Sequence, residues 1–287
     1  MNITDYNFQK DLRAIRNILD ITQSELAAQI EVEQITISRS ESGITKPSSI
    51  LLEKIYNFAF SKNIKLGLLK EMLWKEDIKP SNKLLFHGSK NGITGKIDVT
   101  KGRINNDFGQ GFYTGESYPQ AVSFISNFDE SCVYFIDFND SGLKCKNYNV
   151  NQEWMLTIAY YRGVLDKYED HPIVKKLFEE SKKYDYIIAP IADNRMFQII
   201  NSFIDGEITD EQCKHCLAAT NLGKQYIFKS ENSVKNLKLV EQCYISSKEK
   251  EYYKNIRSSE VKLGDDKVKL ARIQYRGQGL YIDEILK

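Results

Sequence analysis

The hydrophobic pattern changes period near residue 80, and this change constrains the fold more than any other feature of the chain. Before it, Phe8, Leu12, Ile15 and Leu19 recur at helical spacing. Thr22 and Glu25 have the spacing of a capping box, in which the Thr22 hydroxyl accepts from the Glu25 N–H and the Glu25 carboxylate accepts from the Thr22 N–H. Leu26, Ala27 and Ile30 supply the buried face of that second helix. Gln34 to Glu41 reads as a third, short helix stopped by Gly43 and Pro47. From Ser48, Leu51, Leu52, Ile55 and Phe58 make a fourth. The polar stretch Lys75-Glu76-Asp77-Ile78-Lys79-Pro80-Ser81-Asn82 reads as a linker. Beyond it, Leu84–Phe86, Val133–Phe138, Tyr186–Ile188 and Tyr226–Phe228 are strand-like. A chain of 287 residues has room for two domains. The expected fold is therefore α+β: an all-α domain over 1–74, a linker over 75–82, a mixed α/β domain over 83–245 and a C-terminal extension over 246–287.

The bulk numbers exclude several classes. Forty Lys and Arg against thirty-nine Asp and Glu leave a net charge of +1. Such a chain is no general polyanion binder, so any nucleic-acid contact has to come from a local patch. Hydrophobic residues at 41% argue against long disorder. Met1-Asn2-Ile3-Thr4-Asp5 has neither a basic nor an apolar leader region, and no apolar run is long enough for a bilayer, so a cytoplasmic protein without a membrane partner is expected. Five cysteines, an odd number, point to reduced thiols. Cys213-Lys214-His215-Cys216 has half the spacing of a zinc site, but no second pair follows. These are read as ordinary helix residues, on a helix starting near Thr209-Asp210, and no metal is expected.

Two short helices joined by a tight turn make a helix-turn-helix candidate. Thr22-Gln23-Ser24-Glu25-Leu26-Ala27, followed by Ile37-Ser38-Arg39-Ser40-Glu41-Ser42-Gly43, resembles the Cro/C1 repressor-type (XRE-like) family over most of residues 8–60. The resemblance implies DNA as a partner and a homodimer on paired half-sites. It implies Gln23 near a phosphate, and Gln34, Ile35 and Arg39 facing the major groove, with Thr36 and Ser38 on the same recognition helix. Ser40 stands where the family usually buries an apolar side chain. Glu31, Glu33 and Glu41 flank the reading surface, and Arg39 and Lys46 are its nearest cations, so weak non-specific affinity is expected. The alternative is a small helical bundle used for protein contacts.

Four segments carry the chemistry of the second half: Phe86-His87-Gly88-Ser89; Phe108-Gly109-Gln110-Gly111-Phe112-Tyr113; Phe124 on a helix that also presents Ala121, Ile125 and Phe128; and Gln225-Tyr226-Ile227-Phe228, followed by a helical Val234/Leu237. In order and setting they resemble the diphtheria-toxin-like and poly(ADP-ribose)-polymerase-like ADP-ribosyltransferases. The chain also resembles an uncharacterised bacterial family grouped with them, through Asp107-Phe108-Gly109-x-Gly111-Phe112-Tyr113, Ile191-Ala192-Asp193-Asn194-Arg195 and Gln225-Tyr226-x-Phe228. The resemblance covers roughly residues 83–240 and implies a split antiparallel sheet that binds NAD as a substrate, without a metal. It implies NAD contacts from His87, Gly88, Ser89, Gly111, Phe112, Tyr113, Phe124 and Arg195. Tyr113 and Phe124 would sandwich the nicotinamide ring, Gly88 would let the backbone reach its carboxamide, and His87 would hold a ribose hydroxyl.

Cleavage of the nicotinamide–ribose bond builds positive charge on the ribose, as in glycoside chemistry, and a facing carboxylate lowers the barrier. Here the sequence departs from the pattern, because Gln225 stands where the resemblance expects Glu. Ala121 likewise replaces a serine of the polymerase branch. Three explanations stand open: Asp107 or Asp193 supplies the charge, the acceptor is unusually reactive, or NAD is bound without turnover. Arg195, after the Tyr186–Pro190 strand, is a candidate for the NAD pyrophosphate or an acceptor phosphate, or for a loop salt bridge. The function expected is ADP-ribosyl transfer to a protein or nucleic acid, of toxin or defence-effector type, with Gln225, His87, Tyr113, Asp107 and Asp193 as the catalytic set. The alternatives are a transcriptional regulator that binds NAD unchanged and an NAD glycohydrolase. Leu280–Leu286 reads as a segment able to dock on the second domain, without an assigned function.

Overall fold

A computed structural model describes residues 6–220 and 223–287. The pentapeptide Met1–Asp5, read above for a leader, lies outside them. Five helices open the described chain: α1 (Phe8–Leu19), α2 (Gln23–Gln29), α3 (Gln34–Glu41), α4 (Ser49–Ser61) and α5 (Leu66–Asp77). Then follow β1 (Lys83–Ser89), β2 (Phe112–Gly115), α6 (Tyr118–Ile125), β3 (Cys132–Phe138), β4 (Cys145–Asn147), α7 (Gln152–Tyr161), α8 (Pro172–Ser181) and β5 (Tyr186–Pro190). The chain continues through α9 (Asn194–Ile204), α10 (Asp210–Ala218), β6 (Lys224–Phe228), α11 (Glu231–Lys235), β7 (Leu237–Tyr244), α12 (Ser247–Gln274) and α13 (Ile282–Ile285). A helical N-terminal region thus precedes a mixed α/β region with mostly antiparallel strands.

The described residues group into two compact units. The first takes the chain through Lys96, Ser117–Phe138 and Lys238–Ile256; the second takes Ile97–Glu116, the described part of Asn139–Leu237, and Arg257–Lys287.

In the first unit, Phe8, Leu12, Ile15, Leu26, Ile37, Ile55 and Tyr56 close one apolar core. The Thr22–Glu25 capping box forms in full, with Thr22 N–H donating to Glu25 Oε2 at 2.7 Å, and Ser48 caps α4. A cap of this kind is worth about 1 kcal/mol. β1 pairs antiparallel with β3, His87 opposite Tyr134 and Gly88 opposite Val133. Phe86, Tyr118, Val122, Phe135 and Tyr253 form a second core over this pair.

Helix α5 is absent from the sequence reading, and Lys75–Asp77, read there as linker, are its last turn. Its pattern hides it. Gly67 lies where a Cβ would fall 1.9 Å from the Tyr118 ring, while Leu69, Met72 and Leu73 point outward, so no clean apolar stripe survives. Lys70 on α5 pairs with Asp11 Oδ2 at 2.8 Å and Glu241 Oε1 at 3.0 Å, and Tyr56 donates to the same Asp11 oxygen at 2.6 Å. This nearly enclosed network ties α1, α4 and α5 to β7 within one unit.

In the second unit the strand order is β4-β5-β6-β2, parallel for β4–β5 and antiparallel for the rest. Trp154, Met196, Ile200, Phe203 and Ile227 build its core, which Ile282 and Leu286 of the tail complete. Burying each of those tail side chains stabilises by about 1.5–3 kcal/mol. Two further corrections concern helix ends: Phe128 lies beyond the end of α6, and Leu237 opens β7 instead of continuing α11.

Candidate functional site

The helical face is set by how α2 meets α3. Gln34 Nε2 donates to Gln23 Oε1 at 2.9 Å, and Gln23 Nε2 donates to Glu41 Oε2 at 3.2 Å. Arg16 grips the same carboxylate from Nε at 2.8 Å and Nη2 at 2.6 Å. Glu41 therefore turns inward, at 6% exposure, and is not part of the acidic rim expected from the sequence. A residue on the α3 stripe beside Ser40 reads as surface until the Arg16 partner is known. The Arg16 hydrogen bond holds the Glu41 carboxyl below its ordinary range. Ser40 is buried as well. Gln34, Ile35 and Arg39 point outward, Thr36 and Ser38 are half-buried beside them, and Glu31 and Glu33 stay exposed. This is the face a reading helix needs.

Four further candidates lie in the same unit. His87 and Ser89 are half-buried at the end of β1, and Phe124 is 46% exposed on α6. Gly88 has a structural reason of its own: a Cβ there would meet the Ala121 carbonyl oxygen at 2.7 Å and Ile125 Cγ2 at 2.8 Å. Close passage of α6 over β1 thus requires glycine.

The second unit brings the second and fourth motifs together. β2 and β6 pair, with Tyr113 opposite Ile227 and Gly115 opposite Gln225. Phe112 is buried and faces Phe228. Gly111 passes so close to β6 that a Cβ would sit 2.9 Å from the Phe228 carbonyl oxygen. The Tyr113 hydroxyl donates to the Gly109 carbonyl at 2.7 Å and accepts from the Phe108 N–H at 3.1 Å, which folds the glycine-rich segment back on its own strand. Burial pushes this phenol well above its ordinary range, so it stays protonated.

Gln225 and Asp107 meet directly. Gln225 Nε2 donates to Asp107 Oδ2 at 2.7 Å and to the Pro190 carbonyl at 3.2 Å. Asp107 also accepts from the Ala192 N–H at 3.1 Å and from Arg162, whose Nε lies 3.0 Å from Oδ1 and whose Nη2 pairs with the same oxygen. Arg162 further reaches the Ala192 carbonyl at 2.5 Å and stacks over the Phe197 ring. Sequence reasoning missed Arg162, because nothing in its local context marks an arginine at the end of α7.

The remaining candidates have other partners. Asp193 caps α9, accepting from the Arg195 and Met196 N–H groups at 3.1 and 3.0 Å, and lies 3.6 Å from Arg257. Arg195 donates to the Val261 carbonyl at 2.8 Å and to Asp265 at 3.1 Å, so its charge is spent on α12. Cys213 and Cys216 are buried on α10, their thiols near the Ile199 and Val268 carbonyls. Lys229, also missed, holds the Phe108 and Gln110 carbonyls, and burial pulls its ammonium down to about 8. Near it, Tyr160, Tyr161 and Phe178 line a pocket of about 320 Å³ together with Gly109 and Gln110. No helix among the described residues is long and apolar enough to cross a membrane.

Fold and reading face define the class: a helix-turn-helix chain that carries a mixed α/β domain. Residues 12–58 match the family described as helix-turn-helix, and residues 84–239 match a family described as proteins of unknown function, DUF3990. The chain belongs to the DUF3990 family. No curated protein and no solved structure matches it significantly.

Proposed function

We propose that the α/β region transfers ADP-ribose from NAD to a macromolecule, and that the helix-turn-helix region binds DNA for autoregulation or targeting. The observation that supports the enzymatic reading is the pairing of β2 with β6, which sets the Tyr113 and Gln225 motifs on neighbouring strands although they lie far apart in sequence. A ring able to stack on nicotinamide and a polar group able to accept from a ribose hydroxyl then belong to one small sheet. In the reaction, the bond between C1′ and the pyridinium nitrogen breaks with its electron pair going to nicotinamide. The acceptor's oxygen or nitrogen bonds C1′, and its proton passes to solvent. Oriented acceptor groups that oppose the developing cation lower the barrier.

One observation favours a second reading, a regulator that binds NAD unchanged. Arg162 compensates the charge of Asp107, the carboxylate that Gln225 contacts. Incubation of the protein with adenylate-labelled NAD and cell lysate separates the readings. Label on protein or nucleic acid supports transfer, free ADP-ribose alone marks hydrolysis, and saturable NAD binding with no nicotinamide released marks the regulator.

A further inference from the structure

The surroundings of the Gln225 amide dictate which of its ends faces inward. Its Nε2 lies 2.7 Å from Asp107 Oδ2 and 3.2 Å from the Pro190 carbonyl oxygen. A carboxylate and a peptide carbonyl are acceptors, so only the NH2 end of the amide satisfies both. Turning the amide over would set its oxygen against two oxygens. Among the described residues, each hydrogen-bond partner of the Asp107 carboxylate is in turn a donor: Arg162 at Oδ1, the Ala192 N–H and Gln225 at Oδ2. No described group donates to Gln225 Oε1, and this oxygen is not among the buried polar atoms sealed off without a partner.

We infer that Asp107, anchored by Arg162, is a positioning residue that makes Gln225 present its carbonyl oxygen, and never its NH2, to the ribose hydroxyl and cationic C1′ of NAD. This rests on the NAD reading above. It gives the glutamine a chemical role in place of an apparent loss. The amide dipole turns its negative end outward, where a cation develops, while its positive end is held by Asp107. It also explains why glutamate does not stand here. A carboxylate at 225 would face the Asp107 carboxylate at hydrogen-bond distance, and two such groups cannot both ionise. An introduced carboxyl keeps its proton, donates it to Asp107 and offers the same outward carbonyl.

The test compares wild type, Asp107→Asn, Gln225→Glu and the double variant by nicotinamide release. Asp107→Asn weakens the hold on the amide, because Arg162 claims the single remaining acceptor of the side chain and only the Pro190 carbonyl still favours the NH2 end. It is expected to lower kcat by at least about tenfold, as loss of an oriented dipole does, and to leave KM for NAD within about threefold, since binding contacts remain. Gln225→Glu should show one added ionisation in its pH–rate profile, above the usual glutamate range of about 4.3. The double variant restores a donor–acceptor pair and should recover most of the loss caused by Asp107→Asn. Losses that simply add in a folded double variant, or an ordinary glutamate ionisation in Gln225→Glu, overturn the inference. The side-chain amide signal of Gln225 in 15N NMR, assigned by its disappearance in Gln225→Glu, gives a readout independent of catalysis and of whether Asp107→Asn folds. Slow exchange with solvent in wild type is expected, and rapid exchange overturns the locked amide. A locked amide in a protein that leaves NAD intact overturns the NAD reading instead.

Discussion

Glu41 stands beside the reading face of α3, yet its carboxylate turns into the bundle and takes two hydrogen bonds from Arg16. Removing it leaves an enclosed guanidinium without its partner, so Glu41→Ala should cost about 3 kcal/mol in denaturant unfolding. The pH dependence follows from the direction of its shift. The folded carboxyl is held below its ordinary 4.5, so the unfolded chain binds the proton more readily. Its contribution is complete above that value and is lost as pH falls through the folded value. Acid melts of Glu41→Gln should therefore depend less on pH below about 4.5 than those of wild type. At this scale the sequence was legible where one residue's role is local. Thr22 and Glu25 carry their capping box in their spacing, and Gly43 its turn, with φ at +76°. It was silent where the partner is remote: Arg16 for Glu41, Arg162 for Asp107, α6 for Gly88.

Among elements, α3 presents Gln34, Ile35 and Arg39 outward from a frame fixed by Gln23 and Glu41. If Arg39 meets a phosphate, Arg39→Ala weakens all DNA sequences alike and flattens the salt dependence by about one unit of slope. If it meets a base, the loss is about 1–3 kcal/mol and confined to one position of the site. Filter binding across a salt series separates the two. The first turn of α12 carries a different load. Glu249 is buried there, takes a hydrogen bond from Tyr118 at 2.9 Å, and has its carboxyl pushed up to about 7 by burial. Between the ordinary 4.5 and 7 the folded state binds the proton more tightly, so this group costs stability as pH rises through that window. Glu249→Gln should raise the melting temperature at pH 8 more than at pH 5. α1 to α4 and the core strands were legible from apolar spacing. α5 was not, because Gly67 and an outward Leu69, Met72 and Leu73 erase its stripe.

For the whole molecule, what matters is that the helix-turn-helix region is not held by chain connectivity alone. Lys70 sits between Asp11 and Glu241, joining the first helices to a strand whose Glu241 lies 171 residues further along the chain. Lys70→Met strands both carboxylates and should cost about 3–5 kcal/mol. The loss should appear at once in probes on the helices and on β7, since one network serves both. No local pattern announces such a link, whereas the change of period near residue 80 announces two kinds of architecture. The proposed action of the Gln225 carbonyl oxygen on NAD is tested by mass spectrometry of NAD incubated with wild type, Tyr113→Ala, Gln225→Ala and Asp107→Ala. Nicotinamide released by wild type, and reduced in all three folded variants, is the predicted result. NAD left intact by wild type with and without lysate, or Gln225→Ala as active as wild type, contradicts it.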